Sequence, residues 1–231
     1  MNNNLKKLIY QSVVEMIDKC QQDKILEKLK NKHLQKIHFI PSKIRTFGGI
    51  LQSLNIQFGN FIQTLLKNLI KSNVNYEILE KYSGKTSLFG IPLQTELIID
   101  EYITNSQINK NLDLNSTFRD LQNKIIYQAN NIINKQIKIK HDIDLMFKDK
   151  ITNQIYLLEI KYNDDHDTGK FIDINRKLIK TYAYIVNELN IEDINTLTPI
   201  LFFFNDSKKS PNIFLPEGIN ILRGKEFLIN S

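Results

Sequence analysis

Four charged residues carry the chemistry that this sequence suggests. Asp142 and Asp144 lie in the segment Lys140-His-Asp-Ile-Asp-Leu-Met-Phe147, and Glu159 and Lys161 in Ile155-Tyr-Leu-Leu-Glu-Ile-Lys161. Apolar and polar residues alternate with period 2 in both, as in half-buried strands. The connector 148–154 is polar and turn-like, so the two segments read as a β-hairpin. With the turn centred near 151–152, Asp144 lies opposite Glu159 and Asp142 opposite Lys161. Opposed residues of an antiparallel pair have Cβ atoms about 4.5–5.5 Å apart. Two opposed carboxylates repel, and a divalent cation between them reverses the sign. Hard cations such as Mg²⁺ take carboxylate oxygens at about 2.0–2.1 Å. Lys161 would flank the same point. This constellation suits metal-assisted phosphodiester hydrolysis, with the ammonium orienting a nucleophile or stabilising negative charge.

The pattern Asp144-x(14)-Glu159-x-Lys161 resembles the signature of the PD-(D/E)XK nuclease superfamily. The segment after it, Lys161-Tyr-Asn-Asp-Asp-His-Asp-Thr-Gly-Lys170 and then Phe171-Ile-Asp-Ile-Asn-Arg-Lys177, resembles type II restriction endonucleases, most of all the TdeIII/MjaII group. The close resemblance covers about residues 137–185, with a looser echo at 42–66. The superfamily's proline before the first aspartate is absent; His141 or Ile143 stands there. That leaves open whether Asp142 or Asp144 is the main ligand. Asp144 is favoured, because the hydrophobic run Leu145-Met-Phe follows it and it faces Glu159.

The resemblance implies an α/β, restriction-endonuclease-like core: a central mixed β-sheet flanked by helices, with a helical N-terminal elaboration. It implies Mg²⁺-dependent cleavage of double-stranded DNA leaving 5′-phosphates, at a GGNCC-type site. Asp144 and Glu159 would hold the metal, with the Ile160 carbonyl as third ligand, and Lys161 would act on the attacking water. Asp142 would be an alternative ligand or the ion-pair partner of Lys161. DNA contacts would come from Asn163, His166, Thr168, Lys170, Arg176 and Lys177. Many restriction enzymes carry Gly-x-x-x-Glu on the first core helix; here Gln63 replaces the glutamate, so its help would be indirect, beyond the metal's own ligands. A homodimer and a cognate DNA methyltransferase are the implied partners. Two other classes stay open at this level: a repair or junction-resolving nuclease, and a catalytically inactive DNA-binding protein.

Composition narrows the field. The 31 basic and 25 acidic residues give a net charge of +6, which is compatible with a polyanionic partner. One cysteine excludes a multi-cysteine zinc site, and histidines only at 33, 38, 141 and 166 argue against a histidine-rich one. The N-terminus has no signal-peptide pattern and no apolar run reaches the length of a membrane span, so a cytoplasmic protein is expected.

The elements that must position the site follow from periodicity. Helices are expected over 5–30, 51–71, 117–135 and 170–190. Residues 43–50 read as a glycine-containing basic turn, and 82–92 as a loop from its glycines and proline. Glu96, Asp100 and Glu101 read as a solvated face of a short helix or strand. Gly84-Lys85-Thr86 is not a phosphate-binding loop, because Leu79 stands where its first glycine would be. Lys170, Arg176, Lys177 and Lys180 fall on or near the outer face of the 170–190 helix. The apolar run 198–204 reads as a buried, parallel-sheet strand, and 212–215 and 219–222 as short edge strands. The whole reads as one nuclease domain, with a helical part at 1–72, an insertion at 73–115 and a catalytic core at 116–231.

Overall fold

The computed structural model describes residues 3–20, 27–28, 31, 39–109, 111–131, 136–163, 167–207 and 212–224. It divides into two compact units, Met1–Ser72 and Asn73–Ser231.

The first unit pairs two helices, α1 (Asn3–Cys20) and α2 (Ser42–Ser72). The second half of α2 buries Ile62, Leu65, Leu66 and Ile70, a stripe at helical spacing. The expected basic turn at 43–50 is instead the start of α2. Its first turn is anchored by Arg45, whose Nε donates to the Ile40 carbonyl at 3.0 Å. A Cβ at Gly48 or Gly59 would meet nothing, so these glycines mark no close approach, and helical hydrogen bonding carries through them. Most of residues 21–30, the later part of the expected first helix, lies outside the described residues.

The second unit is built on a five-stranded mixed sheet. Its strands are β1 (Tyr76–Ile78), β4 (Leu145–Asp149), β5 (Ile155–Lys161), β6 (Leu197–Phe203) and β7 (Ile221–Arg223), in that spatial order. β1, β4 and β5 pair antiparallel, while β5, β6 and β7 pair parallel. β2 (Lys85–Pro92) and β3 (Gln136–Ile143) form a separate antiparallel ribbon. The expected loop at 82–92 is therefore largely strand. Gly84 makes the turn into it at φ +65°, and Pro92 closes it on a two-stranded ribbon that tolerates a missing donor. Helices α3 (Leu93–Ile108), α4 (Leu114–Asn131) and α5 (Thr168–Leu189) pack together, and α5 is also the crossover between parallel neighbours β5 and β6. Residues 213–215 of the expected 212–215 strand form bends, and only 221–223 join the sheet there.

The expected hairpin is present, but its strands are not half-buried. Leu145, Met146 and Phe147 on β4, and Leu157 through Ile160 on β5, are all buried. β5 has a strand on each side and is covered on both faces. The core joins Met146, Leu157 and Leu201 of the sheet to Ile99, Phe118, Leu178 and Tyr182 of the helices. No helix among the described residues is long and apolar enough to cross a membrane.

One buried side chain ties the ribbon to the sheet. Ser83 Oγ, in a residue 5% exposed, accepts from the Met146 N–H at 2.9 Å. It donates to a carbonyl, that of Met146 at 2.9 Å or of Leu79 at 3.1 Å. Ser83→Ala strands a buried donor, so we expect a loss of about 1–3 kcal/mol in urea unfolding. A change below about 0.5 kcal/mol would show that the N–H finds another partner.

Candidate active site

The site forms where one extended stretch changes sheets. β3 ends at Ile143, Asp144 is a bend, and β4 begins at Leu145. The β4–β5 register runs Leu145↔Leu158 to Lys148↔Ile155, which continued by one step sets Asp144 across from Glu159 as expected. Past the last ladder pair, Asp144 Oδ2 accepts from the Ile160 N–H at 2.8 Å. Asp142 does not face Lys161. It belongs to β3 and pairs with Thr86 of β2.

Glu159 is 3% exposed, and a carboxylate so placed must be paired. Two ammonium groups do this. Lys161 Nζ reaches Oε1 at 2.6 Å and lies 3.3 Å from the Ile160 carbonyl oxygen. Lys177 Nζ, arriving from α5, lies 3.1 Å from Oε1 and 3.0 Å from Oε2. The same Lys177 nitrogen is 3.5 Å from Asp142 Oδ2. The expectation of Lys177 on an outer face is corrected: it stands one turn from Ile174 and from Thr181, both buried, so its stem follows the inward side of α5.

Electrostatics follow from this crowding. Burial, then the neighbouring Glu159 charge, push Asp144 up from 3.8 to about 6; Lys161, the Ile160 N–H and Lys177 only partly offset this. For Lys177 burial is the largest influence and acts downward, but the charge and hydrogen bond of Glu159, with Asp144 and Asp142, outweigh it and raise the group. His141 is lowered, first by burial and then by Lys177. Its Nε2 is hydrogen-bonded with Thr181 Oγ1, and its ring meets Tyr184 edge-on at 5.5 Å. The imidazole thus backs the cluster from the ribbon side.

The remaining predicted residues fall elsewhere. Thr168 opens α5, and Lys170 is exposed, its N–H donating to the Asp167 cap at 2.9 Å. Asn163 is partly exposed. Arg176 pairs with Asp100 at 3.3 Å and with Asp173 at 3.5 Å. His166 lies outside the described residues, and Gln63 belongs to the first unit, on α2. Glu96, expected on a solvated face, is 9% exposed and paired with Lys180. Tyr184 Oη also donates to it at 3.5 Å. Among the described residues no group of three or more His, Cys, Asp or Glu forms a ready metal cluster. The donors that do converge are oxygens alone, the Asp144 and Glu159 carboxylates beside the Ile160 carbonyl. Oxygen sets of this kind fit a hard cation and not zinc. Burial first, and the Glu159 charge second, oppose ionisation of Asp144, and a cation held between the two carboxylates would favour their charged forms.

Comparison with known proteins gives two matches. The family model described as "Type II restriction endonuclease, HinfI" matches residues 1–230. The type II restriction enzyme HinfI of Haemophilus influenzae is 47% identical over 228 residues, covering 98% of this chain and 85% of that protein. No solved structure matches.

Asp144 sets a sign for stability against pH. Folded, it holds its proton to about pH 6; unfolded, it releases it near 3.8. Its contribution to stability is thus highest at low pH, falls as pH rises through that window, and is level above it. Asp144→Asn keeps an acceptor for the Ile160 N–H without the charge. In metal-free buffer we expect it to melt above the parent at pH 7.5, with the margin shrinking toward pH 5. An equal margin at both pH values would refute the raised carboxyl.

Proposed function

Because the chain belongs to the HinfI family of type II restriction endonucleases, we propose that it cuts double-stranded DNA at a defined sequence using Mg²⁺ and the Asp144–Glu159–Lys161 cluster. The observation that carries this reading is the convergence of Asp144, Glu159, the Ile160 carbonyl and Lys161 at the end of the β4–β5 hairpin. Asp144, Glu159 and the Ile160 carbonyl would hold the ion. Bound there, Mg²⁺ supplies a Lewis acid for the phosphate and lowers the pKa of a water.

The chain's own groups do the rest. Lys161, fixed on Glu159 by strand β5, holds the attacking water and stabilises the charge that develops as oxygen adds to phosphorus. Cleavage leaves a 5′-phosphate and a 3′-hydroxyl. Asn163 and His166, which precede α5 in sequence, and Thr168, Lys170 and Arg176 on it contact the DNA backbone and bases. The chain works as a homodimer, one subunit per strand, in the cytoplasm beside a cognate DNA methyltransferase, and its core is of the PD-(D/E)XK type. The GGNCC-type expectation came with the TdeIII/MjaII resemblance. The match to the HinfI family does not confirm that grouping or its site, and mapping of cut ends defines the sequence.

The test is digestion of unmethylated phage DNA with Mg²⁺ or with EDTA. Discrete fragments are expected only with metal and the parent chain. Glu159→Ala and Lys161→Ala are expected to lose about 10²–10³-fold or more in rate, with duplex binding in Ca²⁺ kept. Cleavage in EDTA, a smear, or active variants would overturn the reading.

A further inference from the structure

Lys177 occupies an odd position for a DNA-contacting lysine. Its ammonium lies 3.0 and 3.1 Å from the two oxygens of Glu159, the buried carboxylate that must also serve as a ligand. With Lys161 on the same group, Asp144, Glu159, Lys161 and Lys177 sum to zero formal charge. A divalent cation entering this set would leave it at +2, with ammonium and cation competing for the same oxygens. Like charges about 4 Å apart in a partly buried setting still repel strongly at an effective dielectric near 20. One ammonium therefore has to give way.

The two lysines are not equivalent in this respect. Lys161 is on β5, two residues from Glu159, and the strand fixes its direction. Lys177 arrives from another element on a flexible four-carbon stem. A second carboxylate, Asp142 Oδ2, already lies 3.5 Å from its nitrogen, and the Asp142 side chain is 63% exposed. The ammonium has a solvated, oppositely charged seat within a small rotation.

We propose that Lys177 is a positioning residue that holds the place of the divalent cation on Glu159 and moves to Asp142 when the cation binds. The inference rests on the reading of Asp144 and Glu159 as the metal site. Lys177 compensates the charge of the buried carboxylate in the metal-free protein and sets the concentration of metal needed to displace it. Asp142 favours metal binding without touching the metal.

The test is Mn²⁺ binding to the full, DNA-free chain, read from the electron paramagnetic resonance of free Mn²⁺. Lys177→Met is expected to tighten binding by about tenfold or more, with Lys177→Gln in the same direction should the methionine variant not fold; Lys177→Arg stays near the parent. Asp142→Asn is expected to weaken binding several-fold in the parent and to have no effect in the Lys177→Met background. These opposite signs, and their coupling, are not what general structural damage produces. Equal or weaker binding in folded Lys177→Met and Lys177→Gln chains would overturn the proposal. Equal weakening by Asp142→Asn in both backgrounds would do so as well, making Asp142 a ligand. Glu159→Gln separates the two levels: binding that survives it, or no binding by the parent, defeats the metal-site reading and the proposal with it. Glu159-dependent binding indifferent to Lys177 defeats only the proposal.

Discussion

The second unit is organised around one buried carboxylate and the two ammoniums that neutralise it. Glu159 sits on the middle strand of the sheet, where both faces are covered, and an isolated charge there would cost several kcal/mol. Its partners come from different levels of the chain. Lys161 is on the same strand, while Lys177 requires α5 to leave β5, cross the sheet and present the correct side. A chain that mispacks α5 leaves the acid half-paired, so the cluster and the crossover stand or fall together.

The second constraint is the break at Asp144. A strand that ran on through this residue in the ribbon with β2 would carry its carboxyl away from the Ile160 N–H. Instead β3 goes to the ribbon with β2, β4 enters the sheet, and the bend between them lets Asp144 take the Ile160 N–H just beyond the last hairpin pair. Ser83 secures the same junction from the other side through the backbone of Met146. The junction is thus hydrogen-bonded on both sides, and it holds a carboxyl whose ionisation is opposed by burial and by Glu159.

What could be read in the sequence was what local spacing controls. Hairpin register follows from the turn position, so the pairing of Asp144 with Glu159 was legible, as was the parallel character of the apolar run that became β6. The change of partner at Asp144 was not, because a strand keeps its period of 2 whichever neighbour it bonds. Glycine and proline misled at 82–92, where the ribbon can accept both. At 43–50 the glycines misled again, because a single helix runs through them. Glu96 read as solvated because its partner Lys180 is on another helix. Lys177 had a usable signal, since it shares the helical phase of Ile174 and Thr181, but charge drew the reading outward.

Helix α5 joins two functions in a single geometric variable. Its phase decides which residues enter the core and also where the Lys177 charge points. Each residue advances an α-helix by about 100°. A one-residue deletion within its first two turns would therefore displace Ile174 and Leu178 from the core and swing Lys177 off Glu159 in the same step. Substitutions on its outer side are free of that coupling. Descendants of this chain can explore new contacts there by changing residues, while changes of length inside the helix are closed to them.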